Sequence, residues 1–198
     1  MLRAVTAISL VAALSACVTT TPTGRAVSLG GGDILLRAPS GYCVDSQTSR
    51  PADDFAVLAP CATLGTDAPA PSVVGLVTVQ AGDAGSGSIA ADEASLRDFL
   101  VTNAGKSLLS QSGTAADIRI LSTQAFDDQV MVHFSDQGEP LVKGLQDEEW
   151  RAFRDVDGRL VTISVRGLAA APLQDGPGAS LLKEVIAGVT STDAEPAS

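Results

Sequence analysis

Three cysteines and a single histidine are the residues with the most specific chemistry in this chain. Cys43 and Cys61 form an even pair in the body of the chain, and a bond between them would close a loop of about 19 residues. Such a disulfide stabilises a fold by roughly 3 kcal/mol in the chain-entropy model. A zinc site is the alternative, but no C-x-x-C spacing occurs and His133 is the only histidine. The pair therefore predicts a structural disulfide, as is usual in an exported protein.

Cys17 ends an N-terminal segment that has the layout of an export signal. Arg3 supplies a positive start, and the apolar run at residues 4–13 is too short to span about 30 Å of hydrocarbon as a helix. Residues 14–17 read LSAC, which resembles the lipobox of bacterial lipoproteins. The resemblance implies that residues 1–16 are a signal peptide and that the Cys17 thiol carries the lipid. Two or more acyl chains at Cys17 would make the membrane anchor effectively permanent.

The residues after Cys17 bear on where the domain lies. In enteric Gram-negative lipoproteins an Asp at the next position favours the inner membrane, so Val18 implies the outer membrane rather than the inner. Residues 17–32 are rich in Thr, Gly and Pro and have no helical apolar period, which predicts a flexible tether. Fifteen such residues reach roughly 20 Å. We therefore expect the body of the protein to face the periplasm close to the membrane.

Two short glycine motifs resemble fragments of nucleotide-binding loops. Residues 105–107 read GKS, but Leu100 stands where a phosphate-binding loop needs its first glycine, and the tripeptide lies inside a predicted helix. Residues 85–90 read GSGSIA, but Asp92 and Glu93 place negative charge where a pyrophosphate would bind. The sequence therefore predicts no nucleotide and no cofactor.

His133 and two acidic runs are the remaining candidates for acid–base or metal chemistry. His133 shares a strand face with Met131, and no G-x-S-x-G elbow supplies a nucleophile, so a solvated or partly covered histidine is the simplest interpretation. The acidic runs at residues 147–149 and 155–158 lack the EF-hand spacing for calcium and favour a solvated surface. We predict no catalytic residue and no metal ligand.

The charge balance limits the partners that this chain could bind. Its formal net charge is -10, and removal of Arg3 with the leader leaves 12 basic and 23 acidic residues, or -11. A body this acidic is repelled by nucleic-acid phosphates and by anionic membrane surfaces. We therefore expect no nucleic-acid partner and a membrane attachment through lipid alone.

Strand and helix patterns divide the body of the chain into elements. Segments with strand character are residues 33–38, 42–45, 55–60, 73–80, 118–126, 129–135, 149–156 and 159–166. Asp157-Gly158 between the last two segments predicts a tight hairpin. Trp150 and Phe153 fall on opposite strand faces, so one is expected in the core and the other is a candidate contact residue.

Amphipathic spacing predicts two helices. The first covers residues 95–110, with Ser95 and Asp98 as a capping box, and the second covers residues 179–190, preceded by Pro177 and Gly178. Short turns between the strands predict an α+β fold in which two helices pack against a mainly antiparallel sheet. The domain is expected to span residues 33–190, and the small polar residues 191–198 are expected to form a disordered tail.

The order of these elements resembles that of the PsbP/Mog1-like α/β/α domain. In that family a first strand enters a Pro-Gly turn, here residues 39–41, and a mid-chain helix, long hairpins and a closing helix follow. The resemblance implies an α/β/α sandwich. Members of the family are mostly binding or assembly accessories without catalytic groups, so the resemblance implies no site residues.

Three functions follow from these features. The first is a non-catalytic envelope lipoprotein that binds a protein partner or assists envelope assembly. The second is a periplasmic hydrolase of envelope polymers, which would need paired carboxylates in a cleft. The third is a carrier of a small ligand or lipid, which would need an apolar cavity of a few hundred Å³. The shape of the uncovered sheet face distinguishes them.

Overall fold

The computed structural model describes residues 24–89 and 92–193. Cys17 and the predicted signal peptide lie outside these residues, so lipidation stays a prediction. The strands are β1 Ala26–Leu29, β2 Ile34–Arg37, β3 Tyr42–Val44, β4 Phe55–Pro60, β5 Leu76–Ala81, β6 Ile118–Phe126, β7 Gln129–Asp136, β8 Leu145–Val156, β9 Arg159–Leu168 and β10 Val189–Ser191. The α-helices are α1 Glu93–Leu100, α2 Asn103–Leu109 and α3 Asp175–Ala187.

The strands form two antiparallel sheets. The larger sheet has seven strands in the order β3-β4-β5-β9-β8-β7-β6, and the smaller has three in the order β1-β2-β10. The predicted hairpin between β8 and β9 is confirmed, with φ of 53° at Asp157 and 73° at Gly158, the positive values that its tight turn requires. The predicted α+β class with a mainly antiparallel sheet is also confirmed.

Helices cover the larger sheet from both sides. Leu182 and Val185 of α3 share one core cluster with Ile163 of β9 and with residues of the smaller sheet. Leu96 of α1 shares a second cluster with Phe134 of β7 on the opposite face. The arrangement is therefore an α/β/α sandwich, in which α1 and α2 lie chiefly over β6 and β7.

The predicted disulfide between Cys43 and Cys61 is present. Cys43 belongs to edge strand β3, and Cys61 follows the neighbouring strand β4. Both cysteines are only 4% exposed. The bond therefore ties a short edge strand, which has one neighbour in the sheet, to the next strand.

The helix predicted over residues 95–110 is two helices. α1 is capped by Asp92, whose carboxylate accepts hydrogen bonds from the Ser95 backbone N–H at 3.0 Å and from its hydroxyl at 2.6 Å. These bonds, the hydroxyl first, lower the pKa of Asp92. The capping box predicted for Ser95 and Asp98 is therefore wrong.

The second helix, α2, begins after Thr102, whose Oγ1 accepts a hydrogen bond from the Gly105 N–H. The GKS tripeptide at residues 105–107 lies inside this helix, as predicted.

Both ends of the domain extend further than predicted. Residues 26–32 were expected in the flexible tether, but β1 pairs with β2 and Leu29 is fully buried.

At the other end, α3 begins at Asp175, earlier than the predicted start at residue 179. Pro177 is tolerated in the first turn of this helix, because the backbone N–H that proline lacks would have no partner within the helix there. The helix stops before Val189, where β10 begins, and Ser191 pairs with Ile34. The tail predicted from residue 191 therefore starts too early, and residues 194–198 lie outside the described part.

Candidate functional site

The register of the larger sheet sends neighbouring side chains of β7, β8 and β9 to opposite faces. His133 lies directly opposite Trp150, and both face α3. Phe134 lies opposite Glu149, which lies opposite Arg166 on β9, and these three face the side of α1 and α2. Directly paired residues of adjacent strands share a face. Two separate concave regions result, one on each face of the sheet.

The first region, which we call the histidine cleft, lies beside the N-terminal end of α3 and has a volume of about 580 Å³. A register shift between Ile120 and Ser122 of β6 turns Ser122 toward this cleft, opposite His133. The residues that define the cleft are Ser122, Met131, His133, Glu148, Trp150 and Asp175.

His133 is held on the floor of this cleft. Its side chain shares a face with Met131 as predicted, but the residue is only 7% exposed and is therefore not solvated. The imidazole stacks on the Trp150 ring with centroids 4.3 Å apart, and its Nε2 lies 3.2 Å from Oε2 of Glu148. Trp150 is 3% exposed and is the core aromatic of the predicted pair, whereas Phe153 is half-buried against the other cluster.

Three potential ligand groups meet in the histidine cleft. One donor atom each from His133, Glu148 and Asp175 lies within 4.8 Å of the other two. They come from β7, β8 and α3, and Asp175 is the first residue of its helix. The three residues are far apart in the chain, so no local sequence motif brings His133 together with a carboxylate. Only strand alternation, which places Glu148 on the face of Trp150, was a usable signal in the sequence.

The second region, which we call the arginine groove, lies where α1 and α2 leave the opposite sheet face open. Its volume is about 240 Å³, and the loop before β8 forms one rim. The residues that define the groove are Leu76, Leu141, Val142, Glu149, Arg151 and Arg166.

A buried ionic network forms the floor of the arginine groove. Glu149 is 3% exposed and accepts a 2.7 Å hydrogen bond from Nε of Arg151. Arg166 is 8% exposed, and its Nε lies 3.6 Å from Oε2 of Glu149, too far for a hydrogen bond. Within the described residues this Nε has no hydrogen-bond partner. The solvated acidic surface predicted for residues 147–149 is therefore wrong for Glu149, because strand alternation turns it away from Glu148.

Exposed apolar side chains border this network. Leu141 is 79% exposed and Val142 is 52% exposed, and both line the arginine groove. Large apolar side chains beside a cleft are characteristic of surfaces that bind partners. None of these residues was a candidate in the sequence, where residues 137–144 read as an ordinary loop.

The overall fold is similar to that of solved structures, whereas two comparisons of the sequence found no match. No family model matches the chain, and no curated protein matches it. The Saccharomyces cerevisiae Ran-binding protein Mog1p aligns with a TM-score of 0.50 at 14% identity, over 85% of this chain and 95% of Mog1p. A Mog1 point mutant aligns with the same TM-score and identity, over 85% and 96%. The fold is Mog1-like. This agrees with the resemblance expected from the order of the elements.

Proposed function

We propose that this chain is a non-catalytic accessory domain of a bacterial cell envelope, anchored through Cys17 and binding a protein partner in the arginine groove. The LSAC motif at residues 14–17 supports the lipid anchor, facing the periplasm and on the outer membrane rather than the inner. The Mog1-like fold supports a binding role, because Mog1p is a Ran-binding protein. The observation that carries the proposal is the pair of guanidinium groups of Arg151 and Arg166, which share the single carboxylate of Glu149 at the floor of an open groove.

A partner that offers a carboxylate would pair with the second positive charge of this network. Hydrogen bonds between a guanidinium and a carboxylate are charge-assisted and about twice as strong as those between neutral groups. The groove holds Arg151 and Arg166 against one carboxylate, that of Glu149, in a chain whose net charge is -10. It is therefore a local positive site on an acidic protein, which selects acidic segments of a partner.

The rim of the groove determines the rest of the partner segment. Leu141 and Val142 lie exposed beside the arginines, so burial of apolar side chains there would add to the electrostatic attraction. The segment that fits is a protein chain with an Asp or Glu flanked by apolar residues. Binding energy in such interfaces concentrates in a few buried groups, here Arg166 and Leu141.

The test is co-purification of partners with the lipidated chain from detergent-solubilised envelopes, using two matched pairs of variants. Leu141→Ser changes the groove rim, and Leu108→Ser changes an equally exposed leucine on α2 outside the groove. Arg166→Gln removes the groove cation, and Arg37→Gln removes an exposed arginine on β2. Fluorescence of Trp150, the only tryptophan, checks that each variant is folded.

We expect one protein to co-purify with the wild type and with both control variants. Its recovery should fall by about 10-fold or more in Leu141→Ser and Arg166→Gln, because each loses at least one contact worth about 1.4 kcal/mol or more. Equal recovery across all folded variants, or no reproducible partner with the wild type, would overturn the proposal.

A further inference from the structure

The histidine cleft lies on the opposite sheet face from the arginine groove and shares no lining residue with it. We infer that the histidine cleft binds a first-row divalent transition-metal ion, best matched by Zn²⁺, through His133, Glu148 and Asp175. This ion site goes beyond the proposed partner binding, and either can fail without the other.

The distance between the donor atoms of His133 and Glu148 matches that between two ligands of one ion, and Asp175 lies nearby. Zn²⁺ binds imidazole nitrogen and carboxylate oxygen at about 2.0–2.2 Å, so two ligands at tetrahedral or octahedral angles lie about 3–3.5 Å apart. His133 Nε2 and Glu148 Oε2 are 3.2 Å apart, and the Asp175 carboxylate is within 4.8 Å of both. Asp175 is exposed, so its side chain is free to approach the other two donors when an ion binds.

The donor set determines the class of ion. One imidazole nitrogen favours Zn²⁺ and similar transition metals over Mg²⁺ and Ca²⁺, which prefer oxygen ligands alone. Two carboxylate ligands bring a formal charge of -2 to the site, which a divalent ion balances. Three protein ligands leave a coordination position open toward the cleft, as in zinc sites that retain a water or an exogenous ligand.

The surroundings of His133 hold its imidazole in place before an ion arrives. The ring stacks on Trp150 with an interplanar angle of 13°, and Trp150 is fixed in turn by the close approach of Gly178 on α3. A pre-positioned imidazole loses little conformational entropy when it coordinates an ion. Because the three ligands come from β7, β8 and α3, a bound ion would join the helix to the sheet and stabilise the folded state.

A purely structural role for His133 is the alternative that the experiment must separate. Its contact with Glu148 could act as a hydrogen bond that covers the end of the core, without any ion. That role does not involve Asp175, which has no hydrogen bond or ion pair to either residue within the described part. Dependence of ion binding on Asp175 therefore distinguishes the two roles.

The experiment titrates Zn²⁺ into the untagged full chain in detergent by calorimetry, with Mg²⁺ and Ca²⁺ as comparison ions. Cys17→Ser is included in every sample so that no free thiol competes for the ion. The test variants are His133→Gln, Glu148→Gln and Asp175→Asn. The control is Asp147→Asn, an exposed carboxylate next to Glu148 that is not part of the cluster.

We expect one Zn²⁺ per chain, a raised melting temperature, and a shift of the single imidazole signal in the proton NMR spectrum, since the chain has one histidine. Each test variant should weaken Zn²⁺ binding by about 10–100-fold or more, because loss of a direct ligand costs at least as much as loss of its supporting contact. Asp147→Asn should bind like the parent. Asp175→Asn changes only an exposed side chain, so it remains informative if His133→Gln is unfolded.

Four results would each overturn the inference. The first is Zn²⁺ binding no tighter than Mg²⁺ binding. The second is Zn²⁺ binding that survives unchanged in folded His133→Gln and Asp175→Asn. The third is an imidazole signal that does not respond to saturating Zn²⁺. Equal weakening in Asp147→Asn would also contradict it, because that result would indicate diffuse attraction to an acidic surface.

Discussion

Tyr42 is the single tyrosine of the chain, and its hydroxyl is enclosed by backbone groups. The hydroxyl donates a hydrogen bond to the Val73 carbonyl oxygen at 2.9 Å and accepts one from the Gly75 N–H at 2.9 Å. Burial raises the pKa of Tyr42 to about 12; the hydrogen bond from Gly75 lowers it, and the Glu184 carboxylate raises it further. The neutral phenol is therefore a structural link between β3 and the segment before β5.

The buried Tyr42 hydroxyl predicts that the free energy of unfolding depends on pH. The phenolate absorbance of this single tyrosine can report the titration. The folded-state pKa of Tyr42 lies above its ordinary value of about 10. The neutral phenol therefore contributes its full share to the free energy of unfolding below pH about 10, and this share is lost as the pH rises toward about 12. Phenolate absorbance should titrate near 12 in the folded chain and near 10 in urea. Tyr42→Phe should lack this tyrosine-dependent fall in unfolding free energy. A folded-state midpoint near 10 would count against the buried hydroxyl.

At the scale of elements, α3 approaches the sheet closely because Gly178 has no side chain, whereas a second early glycine, Gly176, has open space around it. A Cβ on Gly178 would lie 2.5 Å from the Trp150 ring, whereas a Cβ on Gly176 would meet nothing within 4 Å. Both residues have ordinary helical backbone, so conformation does not distinguish them. Gly178 thus sets the distance between α3 and the stacked pair Trp150 and His133.

The two glycines provide a matched pair of substitutions. Gly178→Ala should lower the free energy of unfolding by about 1–3 kcal/mol, because the added methyl overpacks the Trp150 ring. Gly176→Ala should leave it unchanged or raise it by up to about 1 kcal/mol, because alanine favours the helix. Urea unfolding followed by Trp150 fluorescence measures both. Similar values for the two variants would show that α3 is free to shift away from the sheet.

The observed element boundaries agree with the predicted ones where strand periodicity or turn residues are distinctive. They differ where contacts between distant parts of the chain determine the element. The strand Phe55–Pro60 and the hairpin at Asp157 were predictable from strand periodicity and a turn residue pair. The register shift at Leu121 of β6 had no sequence signal, because any residue can be the extra one in a bulge. The sequence also had no signal for β1 and β10, which are strands because each pairs with β2, the central strand of the smaller sheet.

At the scale of the whole molecule, the chain combines an acidic folded body with a predicted lipid anchor. No helix among residues 24–89 and 92–193 is long and apolar enough to cross a membrane. The net charge of -10 opposes attraction to anionic lipid headgroups. Attachment to a membrane in the proposed function therefore depends on acyl chains at Cys17.

Substitution of the anchor residue tests this dependence. Cys17→Ser should yield a full-length, unacylated precursor, because the thiol that takes up the lipid is missing. The domain should still fold, since β1 begins nine residues later, at Ala26. Mass spectrometry and metabolic labelling with a fatty acid measure cleavage and acylation. Lipid labelling of the variant at the wild-type level, or a wild-type N-terminus other than Cys17, would remove the basis for the envelope location.

The sequence by itself determined the cysteine pair, most strand positions, the tight hairpin turn and the fold class, because these depend on periodicity and turn chemistry within a few neighbouring residues. Only the tertiary structure decided that Asp175 meets His133 and that Arg166 meets Glu149. Each meeting depends on strand register or on helix docking, and the packing of the whole core sets both. A change of one residue in strand register would move His133, Glu149 or Arg166 to the other face of the sheet.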